Sequence, residues 1–370
     1  MKVIIAAAQT GGHINPGIAI ANKIKKENKK AKIMFIGTTR GLENDLVPRA
    51  GFELKTIEAY GINRKISMQN VKNIFKTFKG LKEAKRIVKE FNPDIVIGTG
   101  GFICGPVLMA AKKYKIPTML HESNAFPGVA VKLLSKKVDT ILLGFKDAKK
   151  RLPKAKNIVV TGTPTKIKKV NLSEEQKEKI IKELNLDKTL PIVLVFGGSQ
   201  GAKSINSTLI DIIKNKANTN YQIVWASGPK QYNVIRDNLK ESKINIDKIK
   251  NVKIIPYIYN MEEMMNLADI IISRSGAMTI TEIAITAKPA IFVPFPFATE
   301  NHQEYNARVL VNAGAAKIIL DKDLNAESLT NTLKEMLKDK TGLLKMGQNA
   351  EKVAIENVEE KIYEEIKKLI

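Results

Sequence analysis

Short apolar runs rich in Val and Ile recur along the chain, separated by stretches in which apolar and charged residues follow helical spacing. In the first half they fall at 2–8, 32–37, 94–98, 117–121, 139–143 and 157–161. In the second half they fall at 191–196, 221–226, 252–255, 269–273, 289–293 and 316–320. Continuous apolar character marks strands covered on both faces, the habit of parallel sheets. Strand and helix patterns alternating in this way predict two doubly wound α/β domains. The lysine-rich segment Thr163–Leu190, with Pro164 and Pro191, reads as the crossing, which puts the domains at 1–163 and 164–345. Beyond Leu343 a single charged helix, 346–370, is expected to pack back across the first domain.

Glycine-rich turns stand where strand gives way to helix. Val3–Ala8 runs into Gln9-Thr10-Gly11-Gly12-His13, and Ile192–Phe196 runs into Gly197-Gly198-Ser199-Gln200-Gly201. Glycine lets the backbone bend sharply and bring its N–H groups close to a ligand. A helix beginning there adds partial positive charge and unpaired donors, which favour phosphate. Two such turns in opposite halves predict two anionic ligands brought together in a cleft. A third cluster, Gly98-Thr99-Gly100-Gly101-Phe102, begins like a dinucleotide fingerprint but has Ile103 where glycine is needed, and no acid at the expected distance. Extra backbone donors account for it better than a nicotinamide or flavin site.

Only His13, His121 and His302 are available as histidine bases. His13, at a helix N-terminus beside a glycine turn, is placed to accept a proton near neutral pH; a histidine capping its own helix is the plain alternative. Gly197–Gly201 also matches the G-x-S-x-G elbow of the α/β-hydrolases, and Asp269 and His302 follow in the required order. That rival uses one sheet and leaves the first-half turn unexplained. In Ile272–Glu282 a strand, a glycine turn and a helix follow one another, so Ser275 and Gly276 can offer backbone donors to a phosphate. Glu282 could accept both hydroxyls of a ribose, or be a solvated helix residue. The proline-stiffened loop Pro294–Gln303 ends in amides and acids suited to sugar hydroxyls. Asp321-Lys322-Asp323 reads as a turn at a strand end, and no metal is expected.

Composition narrows the class. The chain has 370 residues, 44% hydrophobic and 26% charged, as in water-soluble two-domain proteins. Cys104 alone excludes an internal disulfide and a zinc cluster. No apolar run approaches the ~20 residues that span a bilayer. The opening Met1–Ile5 is better a buried strand than a signal peptide, because its apolar stretch ends at Gln9. A net charge of +24 favours anionic partners such as lipid or phosphorylated substrate. Nucleic acid is disfavoured by 6% aromatic content and the lack of a binding motif. Within 71–88, Val71, Ile74, Phe75, Phe78, Leu81 and Val88 recur at helical spacing beside Lys72, Lys76, Lys79, Lys82 and Arg86, which suits either a core-facing helix or an anionic membrane surface.

These motifs, in this order, resemble the MurG family, the peptidoglycan N-acetylglucosaminyltransferases acting on lipid-linked muramyl pentapeptide. The matching segments are TGGHINPGIAIA, GTTRGLENDLVPRAGF, PDIVIGTGGFICGP, IPTMLHESNAFPG, FGGSQGAKSIN, ISRSGAMTITEIA and ENHQEYNA. The resemblance implies two Rossmann-like doubly wound domains facing across a cleft (GT-B architecture), with no cofactor and no active-site metal. It implies UDP-N-acetylglucosamine in the second domain, with Ser199 and Ala277-Met278-Thr279 at the diphosphate, the Ile258 backbone on uracil, Glu282 on ribose and Gln303 on the sugar. Thr10, Gly11, Gly12 and Asn124 would line the sugar or acceptor side, and Gly100 and Gly101 the acceptor diphosphate. The acceptor's 4-hydroxyl would attack the anomeric carbon with inversion, His13 acting as base and Glu122 as second candidate. Ile74, Phe75, Phe78 and Leu81 would form a membrane patch on the cytoplasmic face, with cell-wall synthesis proteins as further partners. A related enzyme that glycosylates diacylglycerol and a silent sugar-nucleotide binder share most of these features. Two motifs depart from the family. Ala8 and Gln9 replace glycines, so that loop should be less free to adopt positive φ. Lys166 stands where arginine is common, trading a bidentate grip on phosphate for a point charge.

Overall fold

A computed structural model describes the chain except residues 61–67, Ser199, Gln200, Thr219 and the side chains of 68–77. The chain forms two compact units, Met1–Lys166 with Ile355–Ile370, and Ile167–Ala354.

In the first unit seven parallel strands form one sheet: β1 (Lys2–Ala6), β2 (Lys32–Gly37), β3 (Glu53–Thr56), β4 (Ile95–Gly98), β5 (Thr118–Glu122), β6 (Thr140–Leu143) and β7 (Ile158–Val160). Their order is β3-β2-β1-β4-β5-β6-β7. Alternation within the buried strands feeds two separate cores. Val3 and Ile5 of β1 face α1 (Gly11–Glu27) and the last helix of the chain, while Ile4 and Ala6 face the opposite layer. That layer holds α3 (Met68–Phe91), α4 (Cys104–Lys113) and α5 (Val129–Leu134); α2 (Glu43–Arg49) adds Val47 to the first core.

The second unit repeats the plan with six parallel strands: β8 (Ile192–Phe196), β9 (Gln222–Ala226), β10 (Val252–Ile255), β11 (Ile270–Ser273), β12 (Ala290–Phe292) and β13 (Ala316–Ile318). Their order is β10-β9-β8-β11-β12-β13. Around them lie α7 (Lys203–Lys214), α8 (Pro229–Glu241), α9 (Met261–Leu267), α10 (Ala277–Ile285), α11 (His302–Asn312), α12 (Ala326–Lys338) and α13 (Lys340–Val353). Each sheet reverses direction of growth beside its first strand, between β1 and β4 and between β8 and β11. Ligands of doubly wound sheets gather outside the strand C-termini at such a reversal. All the glycine turns singled out above leave β1, β4, β8 and β11 there.

Two expectations need correction, and the crossing segment gains a helix. There Ser173 and Gln176 close a capping box on α6 (Glu174–Leu184). The terminal helix 346–370 is instead two, α13 and α14 (Val358–Lys367), split by extended Ala354 and left-handed Asn357. Only the part from Ile355 belongs to the first unit, where Ile362 and Ile366 complete the β1 core and Glu360 pairs with buried Lys23 at 2.7 Å. Leu81 of α3, expected in the membrane patch, is partly buried against the core, with Ala84 and Val88 one and two turns further on.

Candidate functional site

In the first unit the turn after β1 is tighter than glycine content alone suggests. Gln9 adopts φ 77°, and the Thr10 N–H donates to the Ala8 carbonyl at 3.1 Å, closing a γ-turn centred on Gln9. That positive-φ form is rare and strained for an L residue. The loss of glycine does not exclude positive φ here. Gln9 takes the positive φ, and its N–H donates to Glu43 Oε2 at 2.8 Å. Ala8 is buried in the core and is not in the left-handed region.

The turn delivers Thr10 as N-cap of α1 and His13 into its first turn, half-buried. His13 Nδ1 lies 3.3 Å from the Ala8 carbonyl, so in the neutral ring Nδ1 carries the proton and Nε2 the lone pair. The Thr99 hydroxyl donates to the His13 carbonyl at 2.7 Å, joining the turns after β1 and β4. Gly100 and Gly101, at φ 112° and 80°, lie flat against the imidazole; a Cβ on Gly100 would sit 2.6 Å from His13 Cδ2. Glycine there is required by the ring as well as by the backbone.

Glu122 ends β5 and is buried. Its Oε1 accepts the Asn124 N–H and side-chain amide at 2.9 Å each, and its Oε2 the Gly128 N–H at 2.8 Å. Burial pushes this carboxyl group above the usual carboxylate range against those bonds. Both oxygens therefore brace the 123–128 loop that carries Asn124. Neighbouring His121, fully buried, donates from Nε2 to the Gly162 carbonyl at 3.0 Å, and burial drops it to about 4. It is a neutral structural group.

In the second unit Ser199 lies outside the described residues, but its surroundings are clear. Gly198 and Gly201 take φ 85° and 76°, and a Cβ on Gly201 would strike the Ser227 carbonyl. Asn206 of α7 holds that carbonyl at 2.9 Å and accepts the Trp225 indole N–H at 2.9 Å. The turn after β11 is clamped by Arg274. Its Nη1 donates to the Val293 and Pro294 carbonyls at 3.0 and 3.1 Å and to Asp321, and its Nη2 donates to the Ser204 hydroxyl at 2.9 Å. Ser204 in turn donates to Asp321 at 2.6 Å. The D-x-D segment is thus a turn whose first aspartate is committed to Arg274 and Ser204.

Beyond Arg274, Gly276 caps α10, whose first turn is Ala277, Met278 and Thr279 without acidic residues; Glu282 follows on the same helix, half-buried. The Gln303 side-chain oxygen accepts the N–H groups of Ser275 and Phe295 at 3.3 and 3.0 Å, tying α11 to the α10 turn. Its oxygen is therefore a brace, and its amide N–H₂ is the part suited to a ligand. Ile258 buries its side chain in the loop after β10, between exposed Tyr257 and Tyr259. Lys166 is exposed at the end of the first unit's main segment. The side chains of Ile74 and Phe75 are outside the described residues, and Phe78 is 64% exposed.

The hydrolase rival fails on geometry. Asp269 accepts the Ile192 N–H at 2.7 Å and so sits at the N-terminal end of β8, whereas the Ser199 turn leaves the other end. Five residues of strand separate them, roughly 16 Å. His302 Nδ1 instead donates to the Thr299 carbonyl at 2.7 Å.

Sequence reasoning assigned no role to Glu43, Ser204, Asn206 or Arg274. Each lies inside a motif quoted above, but each holds at least one group distant in sequence.

Comparison with known proteins places this arrangement. Residues 3–143 match the glycosyltransferase family 28 N-terminal domain and residues 192–362 its C-terminal domain. A protein of Acetivibrio thermocellus named UDP-N-acetylglucosamine–N-acetylmuramyl-(pentapeptide) pyrophosphoryl-undecaprenol N-acetylglucosamine transferase is 44% identical, covering 100% of this chain and 98% of its own. A protein of the same name from Thermoanaerobacter sp. is 46% identical, covering 100% of both. The crystal structure of Acinetobacter baumannii MurG superposes with a TM-score of 0.79 at 28% identity over 99% of each chain.

Proposed function

The chain belongs to glycosyltransferase family 28, and from that premise we propose how its residues carry the reaction. The enzyme transfers N-acetylglucosamine from UDP-N-acetylglucosamine to the muramyl sugar of undecaprenyl-pyrophosphoryl-N-acetylmuramyl-pentapeptide, converting lipid I to lipid II. The observation that carries the site reading is the pairing of glycine turn and helix start at the reversal point of each sheet, one for each diphosphate.

His13 Nε2 takes the proton of the acceptor 4-hydroxyl as that oxygen attacks the anomeric carbon, and UDP leaves from the opposite face with inversion. Thr10, Gly11 and Gly12, with Asn124, line the sugar side, and Gly100 and Gly101 offer backbone donors to the acceptor diphosphate. Glu122 acts by bracing Asn124 rather than by moving a proton, since both its oxygens are taken up by its own loop. On the donor side, Ser199 and the start of α10 at Ala277–Thr279 stabilise the charge on UDP. The Ile258 backbone holds uracil, Glu282 the ribose, Gln303 the sugar through its N–H₂, and Lys166 supplies a point charge for phosphate. Asp321 spends its Oδ1 on Arg274 and Ser204, which supports a structural role for the D-x-D segment and a metal-independent reaction.

No helix among the described residues is long and apolar enough to cross a membrane. Exposed Phe78, flanked by exposed Lys79 and Lys82, supports peripheral binding to an anionic cytoplasmic membrane face. The test is transfer of labelled N-acetylglucosamine from its UDP form to lipid-linked muramyl pentapeptide in EDTA, with diacylglycerol as a parallel acceptor. Label on the muramyl lipid alone is expected. Label on diacylglycerol alone would replace the acceptor, and rescue only by magnesium would overturn the metal-free mechanism.

A further inference from the structure

Glu43 is fully buried at the start of α2, remote in sequence from the turn that carries His13. Both its oxygens are nevertheless used. Oε2 accepts the Gln9 N–H at 2.8 Å, and Oε1 accepts the Thr38 N–H at 2.8 Å and the Thr38 hydroxyl at 2.7 Å. The carboxyl group is gripped closely, since a Cβ on either Gly37 or Gly41 would collide with it. A second strut runs from the Leu42 N–H to the Gln9 carbonyl at 3.4 Å. The α2 start thus holds the one residue whose backbone stands at φ 77° in this turn. From Gln9 the contacts continue without a gap. Its γ-turn aims the Ala8 carbonyl, and the Ala8 carbonyl meets His13 Nδ1 at 3.3 Å.

We infer that Glu43 is a positioning residue for transfer: by holding the Gln9 amide it keeps the Ala8 carbonyl on His13 Nδ1 and so fixes which ring nitrogen faces the acceptor. The inference rests on His13 as the base. Glycine at this position would adopt positive φ unaided. In this chain Gln9 makes the turn depend on Glu43.

The test uses the full chain in the transfer assay, at a temperature where circular dichroism shows wild type and variants equally folded. Glu43→Gln replaces one accepting oxygen with an N–H₂ that faces a donor, whichever way the amide turns. The expected result is a fall in kcat on the order of tenfold or more, as for misplacement of a catalytic group. The KM for UDP-N-acetylglucosamine should not change. Adding Gln9→Gly to Glu43→Gln should restore kcat, which a general loss of packing around Thr38 would not allow. If Glu43→Gln does not fold, Gln9→Val keeps Glu43 and attacks the same turn, since a β-branched residue resists positive φ; it should show the same fall. Wild-type kcat in a folded Glu43→Gln or in Gln9→Val, or a loss that Gln9→Gly leaves unrepaired, overturns the inference. Normal transfer by His13→Ala would overturn the base assignment instead, so the two failures are distinguishable.

Discussion

The two units share a strand order around the reversal point and a glycine turn at the same place in it, yet they brace that turn by different chemistry. In the first unit carboxyl groups hold backbone N–H groups: Glu43 grips Gln9 and Thr38, and Glu122 grips Asn124 and Gly128. In the second a guanidinium does most of the bracing, with Arg274 spanning two carbonyls, a hydroxyl and a carboxylate while the Gln303 side-chain oxygen takes the Ser275 N–H. Acceptor-only groups suit a turn rich in exposed N–H donors, whereas a five-donor fork suits strand ends whose carbonyls need partners. A shared topology therefore does not dictate a shared way of holding the site, and the two halves should fail under different insults. Trp225, buried in the second unit, gives a fluorescence signal specific to that unit, while circular dichroism reads both.

The sharpest contrast should come from His13→Ala, with kcat falling about 10²- to 10⁴-fold as for loss of a general base. Binding of UDP-N-acetylglucosamine, measured by calorimetry, should stay as in wild type. Weakened donor binding would mean that His13 serves the donor and would erase the division of labour. Arg274→Ala should do the reverse. Removing one partner of a mostly buried ion pair and stranding two carbonyls costs about 3 kcal/mol, and the Trp225 transition should shift while the first unit's does not. A common shift in both would show one cooperative block.

Acid should separate the units next. His121 is held neutral with its proton affinity lowered to about 4, so the unfolded chain binds a proton below its ordinary 6.5 while the folded one does not. Stability of the first unit should fall as pH drops from 6.5 to about 4, by a few kcal/mol. Glu122, pushed upward by burial, works in the opposite direction as it takes up its proton. The clean measure is therefore wild type against His121→Gln, whose curve should lose the downward part. Identical curves would remove His121 from the account. The smallest effect belongs to Gln9→Gly. Relief of left-handed strain, about 1–2 kcal/mol, less the flexibility glycine adds to the unfolded chain, leaves a net gain of about 0.5 kcal/mol in the first unit. A loss there would mean that the Gln9 side chain itself supports the turn.

Much of this was legible in the chain because each feature is local. Every apolar run named from the pattern became a strand within a few residues, since a strand buried on both faces needs continuous Val and Ile. The strand that escaped, β3, is a mostly exposed edge whose Glu53-Leu54-Lys55-Thr56 has no such signature. Gly100 and Gly101 were recognisable as a turn, but their second task, making room for His13, depends on a ring from another segment. Glu43, Arg274 and Asp321 were unreadable for the same reason, because their partners are chosen by folding and not by spacing. The break at Ala354–Asn357 was missed because no proline or glycine marks it.

The last helix carries a consequence for how the molecule is made. α14 supplies Ile362 and Ile366 to the core under β1, a strand translated long before it. N-terminal domains ordinarily fold while the rest of the chain is still being synthesised. Here the β1 core must wait with one apolar face uncovered until α14 has been translated, so the second unit can be complete before the first. A nascent chain arrested short of Ile355 should hold a finished second unit and an unfinished first unit.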